Sequence, residues 1–586
     1  MDMEPLEDST IPGKQHLRDA LTNCSDPLRT IEEFQLENGI LLPSLRPMLP
    51  LLDLHGVKRL DFHQSVLEEL KERLRQQTEV LGKSDNKQDH RKLQELLVRS
   101  FRFIKIPMLQ PVVMAVLKNV NNLDNKILKM LVSDENIYHA CDVSVKRQIW
   151  LEHQSLFGDE VSPLLQQYIQ DKEHLIFNHM DTSVSFFSQT PKQRRQSPII
   201  RKLVDMVGDN VMLYDTIVQF LRTLFLKTKN IHYCTLRVEL LMALHDKEVQ
   251  EITTMDQTHK FVWCLDACIR EQAVDPKRSR ELQTFLETIK KGQEHMLADV
   301  SMTLCDPYAV NFLASSAMRI ISHLISNECL PREHNGLLLI LRILNLGLHS
   351  WDIINSYVYR EPKLDVKLIT KFLPVMMSLM TDDLIRVLNT KLPSDSRESA
   401  LAIIEHSGPP PEIFQKYIEK DRLAAVLAMQ YVLNLVRVAK DKQAIMRILP
   451  ALSSSAGNKA LDNQMLHSFV CGLIAMPDNF SDYDFATIVI NDFLMTNIRF
   501  ANVASHLMKL LYHVKDYLPV AKLDDMVSSL TSLSKLMNPI GSLKMSELIS
   551  VLRQSIEDRA EAKTPGDVEQ ADEQINKETE QLFDEE

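Results

Sequence analysis

The chain has 586 residues, 45% apolar and 25% charged, with 14 glycines, 25 prolines, 8 cysteines and a formal net charge of −12. Glycine stands at about a third of its usual ~7%, which argues against phosphate-gripping loops, dinucleotide turns and hairpin-rich sheets, since all of these consume glycine. The charge is uneven: twelve acidic and three basic residues from Glu557 to Glu586 give the tail −9 and leave −3 for everything before it.

In chain order, residues 1–37 are polar and acidic and read as a weakly ordered lead with one short helix near Leu17–Thr22. Asn38 to Val57 sets prolines 43, 47 and 50 among leucines, a kinked entry segment. Phe62 to Leu81 is amphipathic: Val66, Leu67, Leu70 and Leu74 face one way and charges the other, with Gly82 as the stop. Further helices are predicted over 91–104, 111–119, 126–131, 144–152 and 162–177. The pattern breaks at Ser183–Lys202, SVSFFSQTPKQRRQSPIIRK, which reads as a basic loop between two helical halves. Helices resume over 203–226, 231–246, 258–270 and 277–290. After the central hairpin they continue over 366–380, 382–392, 394–406, 412–439, 441–449, 461–475, 483–496, 502–514, 522–537 and 546–560.

The centre of the pattern is Tyr308 to Val358. Its first helix carries a wide stripe from Val310 to Ile325, and its second, Gly336 to Ser350, is apolar nearly all round. Such a helix needs cover on several sides, which neighbouring hairpins supply in stacked αα arrays. The expected fold is therefore all-α, an irregular HEAT-like α-solenoid of stacked helical hairpins with a disordered acidic tail. The expected organisation is the lead over 1–37, a helical half over 38–182, the basic loop over 183–202, a helical solenoid over 203–560 and the tail over 561–586.

No apolar run reaches 18 residues without polar interruption; the longest, Leu337 to Leu348, holds Arg342 and Asn345, so no membrane span is expected. The cysteines form no CxxC pair and mostly lie in helical patterns, as reduced buried thiols do. His259, Cys264 and Cys268 share one helix face and admit a metal, but no fourth ligand follows, and buried core residues give the same spacing. His323, His334 and His349 accompany no nucleophile motif. GxGxxG, GxxxxGK[ST], GxSxG and HExxH are all missing from the sequence, so neither catalysis nor a cofactor or metal is expected. Leu93–Leu97 and Leu507–Leu511 match LxxLL, a receptor-docking helix or simply core positions. Lys192, Arg194, Arg195, Arg201 and Lys202 are the candidate RNA-binding residues, since flexible cations suit sequence-independent phosphate contact. A solvated linker, or a dock for an acidic protein, would look the same.

Three long stretches are distinctive: NGILLPSLRPMLPLLDLHGVKRLDFHQS at 38–65, KQRRQSPIIRK at 192–202 and CLPREHNGLLLILRILNLGLHSWDIIN at 329–355. Together they resemble the negative elongation factor B family, also described as cofactor of the breast-cancer susceptibility protein, and the resemblance extends over nearly the whole chain. It implies a nuclear, non-enzymatic scaffold with no cofactor, linking negative elongation factor C/D to negative elongation factor E in a complex that also contains negative elongation factor A. With the DRB-sensitivity-inducing factor, that complex holds RNA polymerase II paused near promoters and touches nascent RNA through basic patches. The alternative is a general α-solenoid adaptor or nuclear-receptor coregulator.

Overall fold

The computed structural model describes the chain apart from residues 1–13, 39–58, 85, 178–184, 291–294, 390, 392, 394–407, 457–462, 499–500, 535–538 and 562–586. The kinked entry segment, the helix expected over 394–406 and all but the first residue of the acidic tail therefore lie outside the described residues. Every regular element among those described is helical, as the glycine scarcity and the apolar stripes predicted. The chain divides into two compact units, residues 1–157 and 158–586.

The first unit holds α1 (Lys14–Asn23), α2 (Pro27–Asn38), α3 (Arg59–Gly82), α4 (Lys87–Ser100), α5 (Gln110–Lys118), α6 (Asn125–Val132), α7 (Glu135–Ala140) and α8 (Val143–Glu152). Five starts among the described residues are fixed by side chains: Asp26, Asn86, Asp124, Asp134 and Asp142 each accept an amide from the first turn of the helix that follows. Leu93, Leu97, Val113, Val116, Leu128 and Ile149 share one core. The lead is more ordered than expected. Leu17 and Leu21 of α1 and Ile31 and Phe34 of α2 recur at helical spacing and are buried.

The second unit begins within the first turn of α9 (Gln154–Phe177). It continues through α10 (Pro191–Arg195), α11 (Pro198–Val207), α12 (Val211–Thr228), α13 (His232–Asp246), α14 (Gln250–Met255), α15 (His259–Glu271), α16 (Pro276–Lys290), α17 (Met296–Leu304), α18 (Pro307–Ser326), α19 (Asn335–Leu348), α20 (Ser350–Ser356) and α21 (Leu373–Asn389). Then follow α22 (Glu412–Lys420), α23 (Arg422–Asn434), α24 (Lys442–Ala456), α25 (Asn463–Ile474), α26 (Tyr483–Ala486), α27 (Ala501–Val514), α28 (Val520–Ser534) and α29 (Pro539–Glu561). π-Helical turns precede α21 at Leu368–Phe372, extend α23 at Leu435–Ala439 and follow α26 at Thr487–Leu494.

The central hairpin forms as predicted. α18 packs on α19, and α23 and α17 cover its other sides. At Gly347 an added Cβ would lie 2.4 Å from the Leu304 carbonyl, so α19 reaches α17 this closely only with glycine there. Packing is not confined to sequence neighbours. Ser185 meets the Ser468 hydroxyl at 3.1 Å, and His232 Nε2 meets Gln464 Nε2 at 3.1 Å, across more than 200 residues. The 18-residue stretch Arg422–Ala439 has the length and mean hydropathy (1.3) of a membrane span, which the apolar runs of the sequence did not reveal; 72% of it is buried within this unit, as a core helix is.

Few glycines remain for helix ends, so other residues take the left-handed position: Lys229, Gln272, Tyr357 and Lys440 cap α12, α15, α20 and the turn after α23 with φ of 50–58°. Tyr357 is 74% exposed, so its side chain gains little there. Tyr357→Gly is therefore expected to raise stability by about 0.5–1 kcal/mol in denaturant unfolding, since relief of the left-handed conformation exceeds the added unfolded-state freedom.

Candidate nucleic-acid interface

The segment expected to be a loop folds as short helices, and its prolines start them. Ser185 accepts the Phe187 amide and opens a 3₁₀ turn. Thr190 and Gln193 form a capping box around α10, with Pro191 in the first turn. Pro198 opens α11 in the same way, and Ile199, Ile200, Leu203 and Val204 face the core.

Phe186 is completely buried. Its ring stacks on Tyr308 at 4.8 Å, and the Tyr308 hydroxyl donates to the Phe186 carbonyl at 3.2 Å. Arg194 is 5% exposed, with its guanidinium 3.5 Å from the centre of the Tyr308 ring and 3.4 Å from Glu239. Glu239 also accepts the Tyr168 hydroxyl at 2.7 Å and has Lys172 Nζ at 3.8 Å. Burial works against the Arg194 charge, but Glu239 and Asp306 outweigh it and hold its pKa above the ordinary value. The same burial, together with Glu239, pushes the Tyr168 hydroxyl well up. Arg195 is 8% exposed and bridges Asp246 (2.9 Å) and Asp266, and Asp266 is also held by Arg270 at 2.9 Å.

The expectation of five flexible loop cations is thus corrected for two. Arg194 and Arg195 face inward as anchors, because planar guanidiniums can be buried when stacked and paired. Lys192, Arg201 and Lys202 are exposed on the outer faces of α10 and α11. They are displayed by anchored helices, so contact with a backbone phosphate would cost less ordering than contact through a slack loop. Sequence reading missed the two anchors because their acidic partners lie 45 to 71 residues away on α13 and α15. The local signal that was available was the Thr190–Pro191–Gln193 helix start.

The other candidates resolve into structural roles. His259 pairs with His245 (Nε2 to Nδ1, 3.1 Å), while Cys264 is buried towards the Arg278 carbonyl at 3.9 Å and Glu281 at 3.7 Å. Among the described residues no three His, Cys, Asp or Glu side chains are grouped as a metal would need. His334 Nδ1 accepts the Leu337 amide and starts α19, His349 Nδ1 meets the Asn345 carbonyl, and His323 meets Asn327. Leu507, Leu510 and Leu511 are all buried, so that LxxLL segment is core; in the other, Leu93 and Leu97 are buried and Leu96 is half-buried against the same core. One couple was not singled out from sequence: Cys471 Sγ lies 3.6 Å from His467 Nε2. Both are buried, and burial raises the thiol pKa against the pull of Lys509 and Arg437, which disfavours the thiolate.

His232 carries a pH dependence. Burial pushes its pKa down to about 3, whereas the unfolded chain protonates it near ~6.5. Between these values the unfolded state binds the extra proton, so stability falls as pH drops from 7 towards 3. At pH 5 this one group is expected to remove about 2 kcal/mol relative to pH 7.5. Chemical denaturation of His232→Gln should show a correspondingly flatter profile over that range.

Among the described residues the fold is all-helical, and the candidate side chains named above are engaged in ion pairs, ring contacts and helix caps. Residues 107–454 match the family described as Cofactor of BRCA1. Proteins named Negative elongation factor B are similar over most of their length. The Drosophila melanogaster protein is 54% identical over 526 residues, 90% of this chain and 88% of its own. Those of Mus musculus and Homo sapiens are each 45% identical over 559 residues, 94% of both chains. The chain belongs to this family, as the three distinctive stretches implied.

Proposed function

We propose that the chain is a non-catalytic scaffold subunit of the negative elongation factor complex, working in the nucleus. In this reading it bridges negative elongation factors C/D and E and, together with negative elongation factor A, helps hold RNA polymerase II in promoter-proximal pausing alongside the DRB-sensitivity-inducing factor. The observation that carries the reading is identity of 45–54% to proteins named Negative elongation factor B over at least 90% of this chain. The breast-cancer susceptibility protein is a further partner, proposed on the family's description alone. The receptor-coregulator alternative is weakened, because Leu507, Leu510 and Leu511 are buried and so are Leu93 and Leu97; the general α-solenoid adaptor does not depend on these segments.

RNA contact, in this proposal, runs through Lys192, Arg201 and Lys202, with Arg194 and Arg195 as the anchors that hold them out. Removing one single-strand phosphate contact should lower the log-log salt slope by roughly 0.7. Replacing the three exposed cations with Gln should therefore flatten the slope of RNA binding by the assembled complex by up to about 2. Copurification supplies the second readout. Recovery of negative elongation factors C/D and E with the triple variant, at reduced RNA affinity, supports the reading. Intact RNA affinity with one of these partners missing would mean that the patch docks protein, and recovery of neither partner by the unaltered chain would reject the scaffold role.

A further inference from the structure

In the first unit four consecutive apolar residues, Ile106, Pro107, Met108 and Leu109, are partly exposed between α4 and α5. Ile106 is 44%, Met108 39% and Leu109 37% exposed, and Val98, on the last turn of α4, is 76% exposed. Exposed runs of this kind are disfavoured unless they bind something. The run is not slack. The Ile106 amide donates to the Phe103 carbonyl at 2.9 Å, and the amides of Leu109 and Gln110 donate to the Ile106 carbonyl at 3.0 and 2.8 Å. It is a hydrogen-bonded double turn held at its base by buried Ile104, so its shape is set before any partner arrives.

Its surroundings are basic. Arg99 and Arg102 are exposed beside it. Lys105 pairs with Asp134 at 3.4 Å, which ties the turn to the junction of α6 and α7. Elsewhere in the unit, α6 presents Lys126, Lys129 and half-exposed Met130 on one face. Of the nearby carboxylates, Asp134 is paired with Lys105, while Glu135 and Glu95, a turn before Arg99, are exposed.

We propose that this turn is a docking surface for an acidic amphipathic peptide segment of a partner protein, one with two or three bulky apolar side chains at helical spacing and Asp or Glu between them. The apolar run takes the bulky side chains, and its one methionine, Met108, adapts to their shape. The cation collar sets orientation and speeds encounter. RNA fits less well: Arg102 lies over the Phe103 ring at 4.8 Å and covers the face on which a base would stack. A membrane surface fits less well too, since four residues on a turn bury far less than an interfacial helix and no Trp or Tyr flanks them.

The test uses the full chain and a fluorescein-labelled synthetic helix of about four turns, with Leu at i, i+4 and i+7 and Glu or Asp elsewhere, read by anisotropy. Saturable micromolar binding is expected, weakening several-fold as salt rises from about 50 to 200 mM. Two double variants, Val98→Ser with Ile106→Ser and Arg99→Glu with Arg102→Glu, should each weaken binding at least ~10-fold, with far-UV circular dichroism and the melting midpoint read in parallel to separate lost docking from lost folding. No binding below ~1 mM would overturn the proposal. So would equal affinity in both variants, or an oligouridylate or anionic vesicle that displaces the peptide and is itself no longer bound after the same substitutions.

Discussion

Replacing Arg194 by alanine is expected to destabilise the chain by about 3–5 kcal/mol, read as a lower midpoint in denaturant unfolding. The effect comes from what is left behind rather than from what is removed. Glu239, 2% exposed in the intact protein, would face the space where a cation stood, with Lys172 at 3.8 Å and the Tyr168 hydroxyl supporting its charge among the described residues. Tyr308 would lose the guanidinium from its face as well. Three further variants separate these contributions. Arg194→Lys keeps the charge but not the planar stack and should cost less, roughly 1–2 kcal/mol. The pair Arg194→Met with Glu239→Leu removes both charges and should recover much of the loss, because the desolvation cost disappears with them. Lys192→Ala, exposed two residues away, should stay within about 0.5 kcal/mol. An Arg194→Ala effect as small as that of Lys192 would mean that the buried pair holds nothing together.

That contrast also marks what the sequence made legible. Apolar periodicity announced the long helices, because it records which face is buried whatever lies opposite; the central hairpin α18–α19 came out as read. The sign and clustering of charge announced the basic segment, but not which cations point outward. Lys192, Arg194, Arg195, Arg201 and Lys202 are equivalent in composition, and only Glu239, Asp246, Asp266 and Tyr308, brought in by the fold, divide them into anchors and exposed charges. Prolines 191 and 198 misled for a related reason. Proline breaks a helix interior but suits its first turn, and the choice depends on whether the residue before it can serve as a cap. Thr190 stands before Pro191 and caps its helix through its side chain; Ser197 stands before Pro198 without a side-chain capping bond. The exposed run Ile106–Leu109 escaped notice because apolar residues in sequence are read as core by default, and only the folded surface shows which of them stay outside.

Phe186→Ala should cost a similar ~3–5 kcal/mol, the range for truncating a fully buried aromatic, and here the more informative readout is where the damage falls. Phe186 is the point at which residues 185–195 enter the second unit: its ring stacks on Tyr308 and lies 5.7 Å from that of His232, and its carbonyl takes the Tyr308 hydroxyl. Truncation removes the ring from a cluster with few other members, buried Ile176 and Tyr308 with Leu175, Phe177 and Phe187 packed around them. The neighbouring helices cannot close that space without disturbing the Arg194–Glu239 pair, so the segment should open before the unit as a whole does. Brief trypsin digestion is the direct measurement. In the parent, Arg194 and Arg195 are buried in a helical turn and should resist cleavage. In Phe186→Ala, cleavage after Arg194 and Arg195 should become fast at temperatures where far-UV circular dichroism is still native, and hydrogen exchange should rise over 185–207 ahead of α18 and α19. An unchanged digestion pattern with an unchanged midpoint would show that the basic segment is held by its arginines alone. RNA affinity of the assembled complex adds a further arm: cations on an opened segment must be ordered again on binding, so affinity should fall although Lys192, Arg201 and Lys202 are all still present.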